Sequence, residues 1–235
     1  MTFSTRWISL RIRGRNYLLF GVLLGLITFL LLPESMLERR IARAVFSGCF
    51  VACLYAISTN RQVFLIASIL LIPSLIGSWV NEIAQVKFLS VFTFATQAIF
   101  LIYAAVLVLK VVLFARHQVA LDTIMGAINV YLLIGVIWAY FYFIALLLEP
   151  SAFRFSGEVN AVVSMDPVAS HASHLAYYSF VTLSTLGYGD VTASAPITRL
   201  LAVFEALTGQ LYLVTLVAGL VGRRSERKRT DSGLA

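Results

Sequence analysis

Near the C-terminus the chain reads Thr185-Leu186-Gly187-Tyr188-Gly189-Asp190, a short polar and glycine-containing run between two apolar segments. A cation that sheds its water needs an oxygen of comparable field strength for each water lost. Peptide carbonyls can supply these only if successive ones point the same way. In an ordinary strand they alternate. Aligning them takes residues at positive φ, where glycine sits without steric penalty. Gly187 and Gly189 offer that freedom, and Thr185 adds a hydroxyl oxygen at one end. One chain contributes one line of oxygens. A ring around an ion needs several copies, which closed symmetry supplies.

The rest of the chain is suited to positioning such a run in lipid. Of 235 residues, 60% are hydrophobic and only 12% charged, against about 25% charged in an ordinary soluble domain. A chain this size cannot hide that much apolar surface in a soluble core. The net charge is +7, but the basic residues cluster at the ends. Arg6, Arg11, Arg13 and Arg15 stand at one, and Arg223, Arg224, Arg227, Lys228 and Arg229 at the other. That placement fits anchoring to anionic headgroups rather than nucleic acid. The stretch around Trp7, Ile8, Leu10 and Ile12 reads either as an interfacial segment or as a disordered anchor. The apolar stretch after it ends at Pro33-Glu34 without a small-residue cleavage site, so it reads as a retained span.

A membrane-spanning helix needs about 20 apolar residues. Six stretches qualify, at about 16–32, 41–59, 63–80, 88–114, 124–148 and 197–222. A shorter one, about 173–184, leads into the glycine run and should form a re-entrant helix. Non-helical backbone at membrane depth is tolerated only where it is buried in protein or lines an aqueous cavity. The C-terminal end of that short helix carries roughly half a negative charge, which favours a nearby cation. The expected fold class is therefore an all-α membrane protein, with six transmembrane helices, a re-entrant pore helix and an extended filter, assembled as a homotetramer. With both termini inside, 12 of the Lys and Arg residues lie inside and 6 outside, although Arg39, Arg40 and Arg43 oppose the rule. The expected segments are a cytoplasmic basic stretch 1–15, a four-helix peripheral region 16–120, a pore domain 121–222 and a cytoplasmic basic tail 223–235.

The run Tyr177-Tyr178-Ser179-Phe180-Val181-Thr182-Leu183-Ser184-Thr185-Leu186-Gly187-Tyr188-Gly189-Asp190 closely resembles the pore helix and selectivity filter of tetrameric potassium channels of the prokaryotic type. That family usually has valine where Leu186 stands, and the side chain there points away from the ion. Arg199 and Gly209 fall where many two-span relatives have an arginine and a hinge glycine. The resemblance covers about 173–222, and the first four spans match by number only. It implies that the carbonyls of Thr185, Leu186, Gly187 and Tyr188, with the Thr185 hydroxyl, hold potassium. Gly189 completes the outer turn, Tyr188 leans on Tyr177 and Tyr178, and Asp190 at the outer mouth hydrogen-bonds Tyr178. Some relatives have a glutamate where Val181 stands here, so gating through a carboxyl pair with Asp190 does not carry over. Between Phe88 and Phe114 the only basic residue after the start is Lys110, which gives no arginine ladder for voltage sensing.

Outside the filter, Glu205 is an ionisable residue inside the last span, where such groups are expensive and usually functional. It reads either as a carboxyl braced behind the pore helix, near Thr182 or Ser184, or as a proton-sensing gate element. Gly209 reads as a hinge or as a close-packing site. His171 and His174, one helical turn apart, read as a metal or pH site or as the solvated start of the pore helix. Glu158 and Asp166 could enrich cations near the mouth. Cys49 and Cys53 read as small packing residues rather than a metal or redox pair. No paired catalytic groups occur, so no enzymatic activity and no cofactor are expected, with K+ as the permeant ion. The chain is expected as a multi-pass protein of a bacterial inner (plasma) membrane, both termini cytoplasmic. The alternatives are a poorly selective monovalent cation channel and a proton-coupled transporter.

Overall fold

The computed structural model describes residues 16–27, 36–58, 60–84, 86–114, 121–156 and 167–231. The basic segment 1–15, Arg116, Glu158 and Asp166 lie outside them. The described elements are helices α1 (Asn16–Ile27), α2 (Met36–Ile57), α3 (Arg61–Ala84), α4 (Lys87–Phe114) and α5 (Leu121–Leu148), then strand β1 (Phe153–Phe155), helix α6 (Pro167–Leu183), strand β2 (Val191–Ala193) and helix α7 (Pro196–Asp231).

Four of these helices carry stretches long and apolar enough to cross a membrane, at Arg61–Val80, Lys87–Leu113, Thr123–Leu148 and Pro196–Leu216. The first two expected spans appear among the described residues as shorter apolar helices, Asn16–Ile27 and Ser47–Ile57.

α5 is apolar all round, and a helix of that kind belongs in the interior. It packs against α4, α6 and α7, and Leu133, Val136, Tyr140, Tyr142 and Leu146 are almost wholly buried. α3 and α7 instead leave broad apolar faces uncovered, with Ile69, Ile72 and Ile76 on one and Val203, Leu211 and Val214 on the other. Such faces need lipid or protein against them.

Two boundaries near the site and a small sheet differ from the sequence expectation. The short helix α6 begins at Pro167 rather than 173. Its first residues, Pro-Val-Ala-Ser-His-Ala, look loop-like in composition, but proline is well suited to the first turn, where its missing N–H would be unpaired anyway. α7 continues as helix past 222 to Asp231. Two three-residue strands were not expected in an all-α chain. β1 and β2 pair antiparallel, with Phe153 opposite Ala193, Arg154 opposite Thr192 and Phe155 opposite Val191. Strands this short have no periodicity to read.

α6 is held between α5 and α7 through two glycines. A Cβ at Gly135 of α5 would lie 2.5 Å from Phe180 Cε1, and a Cβ at Gly209 of α7 would overlap the Leu183 carbonyl oxygen. The Phe180 ring can give way, whereas the Leu183 backbone cannot. Gly209→Ala should therefore destabilise the protein by about 1–3 kcal/mol, and Gly135→Ala by less. Thermal unfolding of the detergent-solubilised variants measures the order, and a reversed order would count against this packing.

Candidate functional site

The site is built around the end of α6. The Leu186 N–H donates to the Val181 carbonyl and the Thr185 N–H to the Thr182 carbonyl, both at 2.9 Å. This pair of bonds is the Schellman cap, which requires a left-handed residue at the first position past the helix. That residue is Thr185, at φ 59°. Glycine is usual there. A β-branched residue in this region costs about 1–2 kcal/mol. Strain of this kind persists where the surroundings over-determine it, commonly at functional sites.

Gly187 and Gly189 also have positive φ, 59° and 81°. A Cβ at either would meet nothing within 4 Å, so backbone conformation and not crowding calls for glycine. Left-handed residues thus occupy alternate positions 185, 187 and 189, with Leu186 and Tyr188 between them. The whole run 184–190 is exposed on the single chain.

Further hydrogen bonds hold the outer end of the run. Ser156, just after β1, donates to the Asp190 carbonyl through both its N–H (2.9 Å) and its hydroxyl (2.7 Å). The Asp190 carboxylate accepts from the Val191 N–H at 3.0 Å. β2 follows at once, and the Ser194 N–H and Thr198 hydroxyl donate to the Ala152 carbonyl at 2.8 and 3.0 Å. The small sheet therefore returns the chain from the run to α7.

The two tyrosines of α6 take different roles. Tyr177 faces the run, its ring stacked on Tyr188 with centroids 6.5 Å apart and planes 6° apart, and its hydroxyl lies near the Asp190 side chain. Tyr178 packs instead against Tyr142 (5.0 Å) and Phe153 (5.4 Å). The expected partner of Asp190 was Tyr178. Adjacent helical residues point about 100° apart, so only one of them can face the run.

Glu205 lies behind α6 and is fully buried. Its Oε2 accepts from the Tyr142 hydroxyl at 2.5 Å, and its Oε1 lies 2.5 Å from Ser179 Oγ. The sequence pointed to Thr182 or Ser184 as partners. Glu205 meets Tyr142 and Ser179 instead of Thr182, and the Ser184 hydroxyl donates back to the Phe180 carbonyl at 2.6 Å. Ser179 and Tyr142 carried no signal in the sequence, because neither spacing nor composition tells which hydroxyl a distant carboxyl will meet. Gly209 lies where α7 passes closest to the end of α6. Near it the Tyr212 hydroxyl donates to the Ala127 carbonyl at 2.6 Å, joining α7 to α5.

His171 and His174 sit around the Phe155 ring, at centroid distances of 4.2 and 5.9 Å. Partial burial, and then the neighbouring His171, push His174 below the ordinary histidine value of 6.5, with Asp190 opposing. Among the described residues no three His, Cys, Asp or Glu side chains come together as metal ligands would.

Residues 130–224, from within α5 through α6 and the run into α7, match a family model described as "Ion channel". No curated protein and no solved structure matches the chain.

Two measurements test this geometry. Thr185→Gly should raise stability by about 1 kcal/mol by relieving the left-handed threonine, read as a higher unfolding temperature. An unchanged or lower temperature would deny the strain. Because the folded state disfavours protonated His174, the unfolded chain binds more protons below about pH 6.5. Stability should therefore fall as pH drops through that value, and His174→Gln should flatten the dependence.

The family match spans the run, α6 and the residues around Glu205, and with the four apolar helices it supports a membrane protein of the ion-channel class.

Proposed function

We propose that the chain is one subunit of a homotetrameric potassium channel that conducts K+ passively down its electrochemical gradient. The observation that carries this reading is the alternation of backbone handedness at Thr185, Gly187 and Gly189. In a pleated strand successive carbonyls face opposite ways. Reversing the handedness of every second residue brings them to one side, the arrangement a dehydrated cation requires. Four copies would stack rings of carbonyl oxygens from Thr185, Leu186, Gly187 and Tyr188, with the Thr185 hydroxyls forming a further ring at the inner end. Gly189 completes the outer turn.

Supporting features surround the run. The C-terminal end of α6 points its partial negative charge at the space inside the filter. The Tyr177–Tyr188 stack braces the run from one side. The uncovered apolar residues of α7, among them Val203, Leu207, Leu211 and Val214, offer surface for neighbouring subunits and for the cavity wall. The basic ends would sit on anionic headgroups at the cytoplasmic face of a bacterial inner membrane.

Purified protein in planar bilayers tests the proposal. Single-channel currents should reverse near the potassium equilibrium potential in mixed K+ and Na+. Gly187→Ala places a Cβ on a left-handed residue and should abolish conduction or its selectivity while the protein still assembles. Reversal near zero in bi-ionic K+/Na+ would replace the reading with a poorly selective cation channel. Slow, saturating flux coupled to protons would replace it with a transporter.

A further inference from the structure

Glu205 sits inside the apolar stretch of α7, fully buried, and among the described residues no Lys, Arg or His pairs with it. Three helices meet at this carboxyl. Tyr142 of α5 donates to Oε2 at 2.5 Å. Ser179 Oγ of α6 lies 2.5 Å from Oε1 and also 2.7 Å from the carbonyl oxygen of Gly135 in α5. The other titratable groups close enough to feel a charge here are Tyr131 of α5 and Tyr178 of α6, neither of them a cation.

The protons in these three contacts can be counted. Tyr142 has one, and it goes to Oε2. Ser179 has one hydroxyl proton, and the Gly135 carbonyl can only accept. The contact between Ser179 and Gly135 therefore uses the serine's proton. The contact between Ser179 and Glu205 then needs a proton from the carboxyl itself. An ionised carboxylate could take both hydroxyl protons, but two bare oxygens would then face each other 2.7 Å apart at Gly135. It would also leave a negative charge, without counter-charge, in the apolar interior.

From this count we infer that Glu205 is a neutral carboxylic acid that donates to Ser179 and accepts from Tyr142, and that it acts as a positioning residue for the 185–190 run. The relay from Glu205 through Ser179 to Gly135 joins α7, α6 and α5 at one point. Ser179 lies on the helix whose end is the Thr185 cap, so a shift of α6 there would move the first residue of the run. The conduction consequence rests on the function proposed above, while the protonation state does not.

The test uses the full chain in lipid. Infrared difference spectra of wild type against Glu205→Gln should show a protonated-carboxyl C=O band in the wild type that the variant lacks. A carboxylate signal at neutral pH instead would overturn the inference. The Gln amide reproduces the donor and acceptor pattern, so Glu205→Gln should keep the wild-type K+/Na+ permeability ratio. Glu205→Leu and the milder Ser179→Ala should each lower that ratio roughly tenfold, the factor that one lost buried hydrogen bond corresponds to, in protein that still elutes as the wild-type oligomer. Loss in Glu205→Gln equal to that in Glu205→Leu would overturn the neutral-donor role. A wild-type ratio in Ser179→Ala would overturn the positioning role. If the wild type itself does not discriminate, the potassium reading fails, and the infrared band still decides the state of Glu205.

Discussion

Backbone that leaves a helix inside a membrane must find partners for its peptide groups, because lipid offers none. The structure between Phe153 and Gly209 is organised around that constraint at the end of α6. The Schellman cap satisfies the carbonyls of Val181 and Thr182, and it does so only because Thr185 accepts a left-handed conformation. Past the cap the run alternates left-handed residues with others, and its outer end is caught by Ser156 and by the small sheet. A cap at one end and a sheet at the other leave the chain between them little freedom, although its side chains are exposed on the single subunit.

Side chains behind α6 complete the support, and they divide by helix face. Tyr177 looks toward the run and stacks on Tyr188. Tyr178 and Ser179 look toward α5 and α7, into a cluster of Tyr142, Phe153 and Glu205. The cluster is aromatic where it can be, which adds dispersion and edge-to-face contact. It is polar only where each hydroxyl has a partner. A buried carboxyl in such a place is tolerable because Tyr142 and Ser179 both reach it. Gly209 lets α7 approach the Leu183 carbonyl closely enough for Glu205 to meet them.

Much of this was legible in the residues, and some was not. The run 185–190 stood out because its residue types are rare between apolar segments, and positive φ at both glycines agrees with that reading. The left-handed Thr185 was hidden, since the residue type argues against it and only the capping bonds require it. Four of the six expected apolar stretches coincide with helices that can span a membrane, because hydropathy over 20 residues is a local property of the chain. The start of α6 was misjudged by six residues, and the two strands were missed, because polar helix starts and three-residue strands carry no periodic signal.

The sequence by itself determined the solvent of this protein, the place of the irregular backbone and the one acidic residue within its last apolar stretch, since composition and residue type suffice for each. Tertiary structure alone decided which tyrosine meets Asp190, which hydroxyls meet Glu205, and that Gly209 serves close packing against Leu183 in this conformation. The reason is geometric. A partner far along the chain is chosen by the rotation of each helix about its axis and by the point where the chain turns back, and neither is written in the spacing of a single segment.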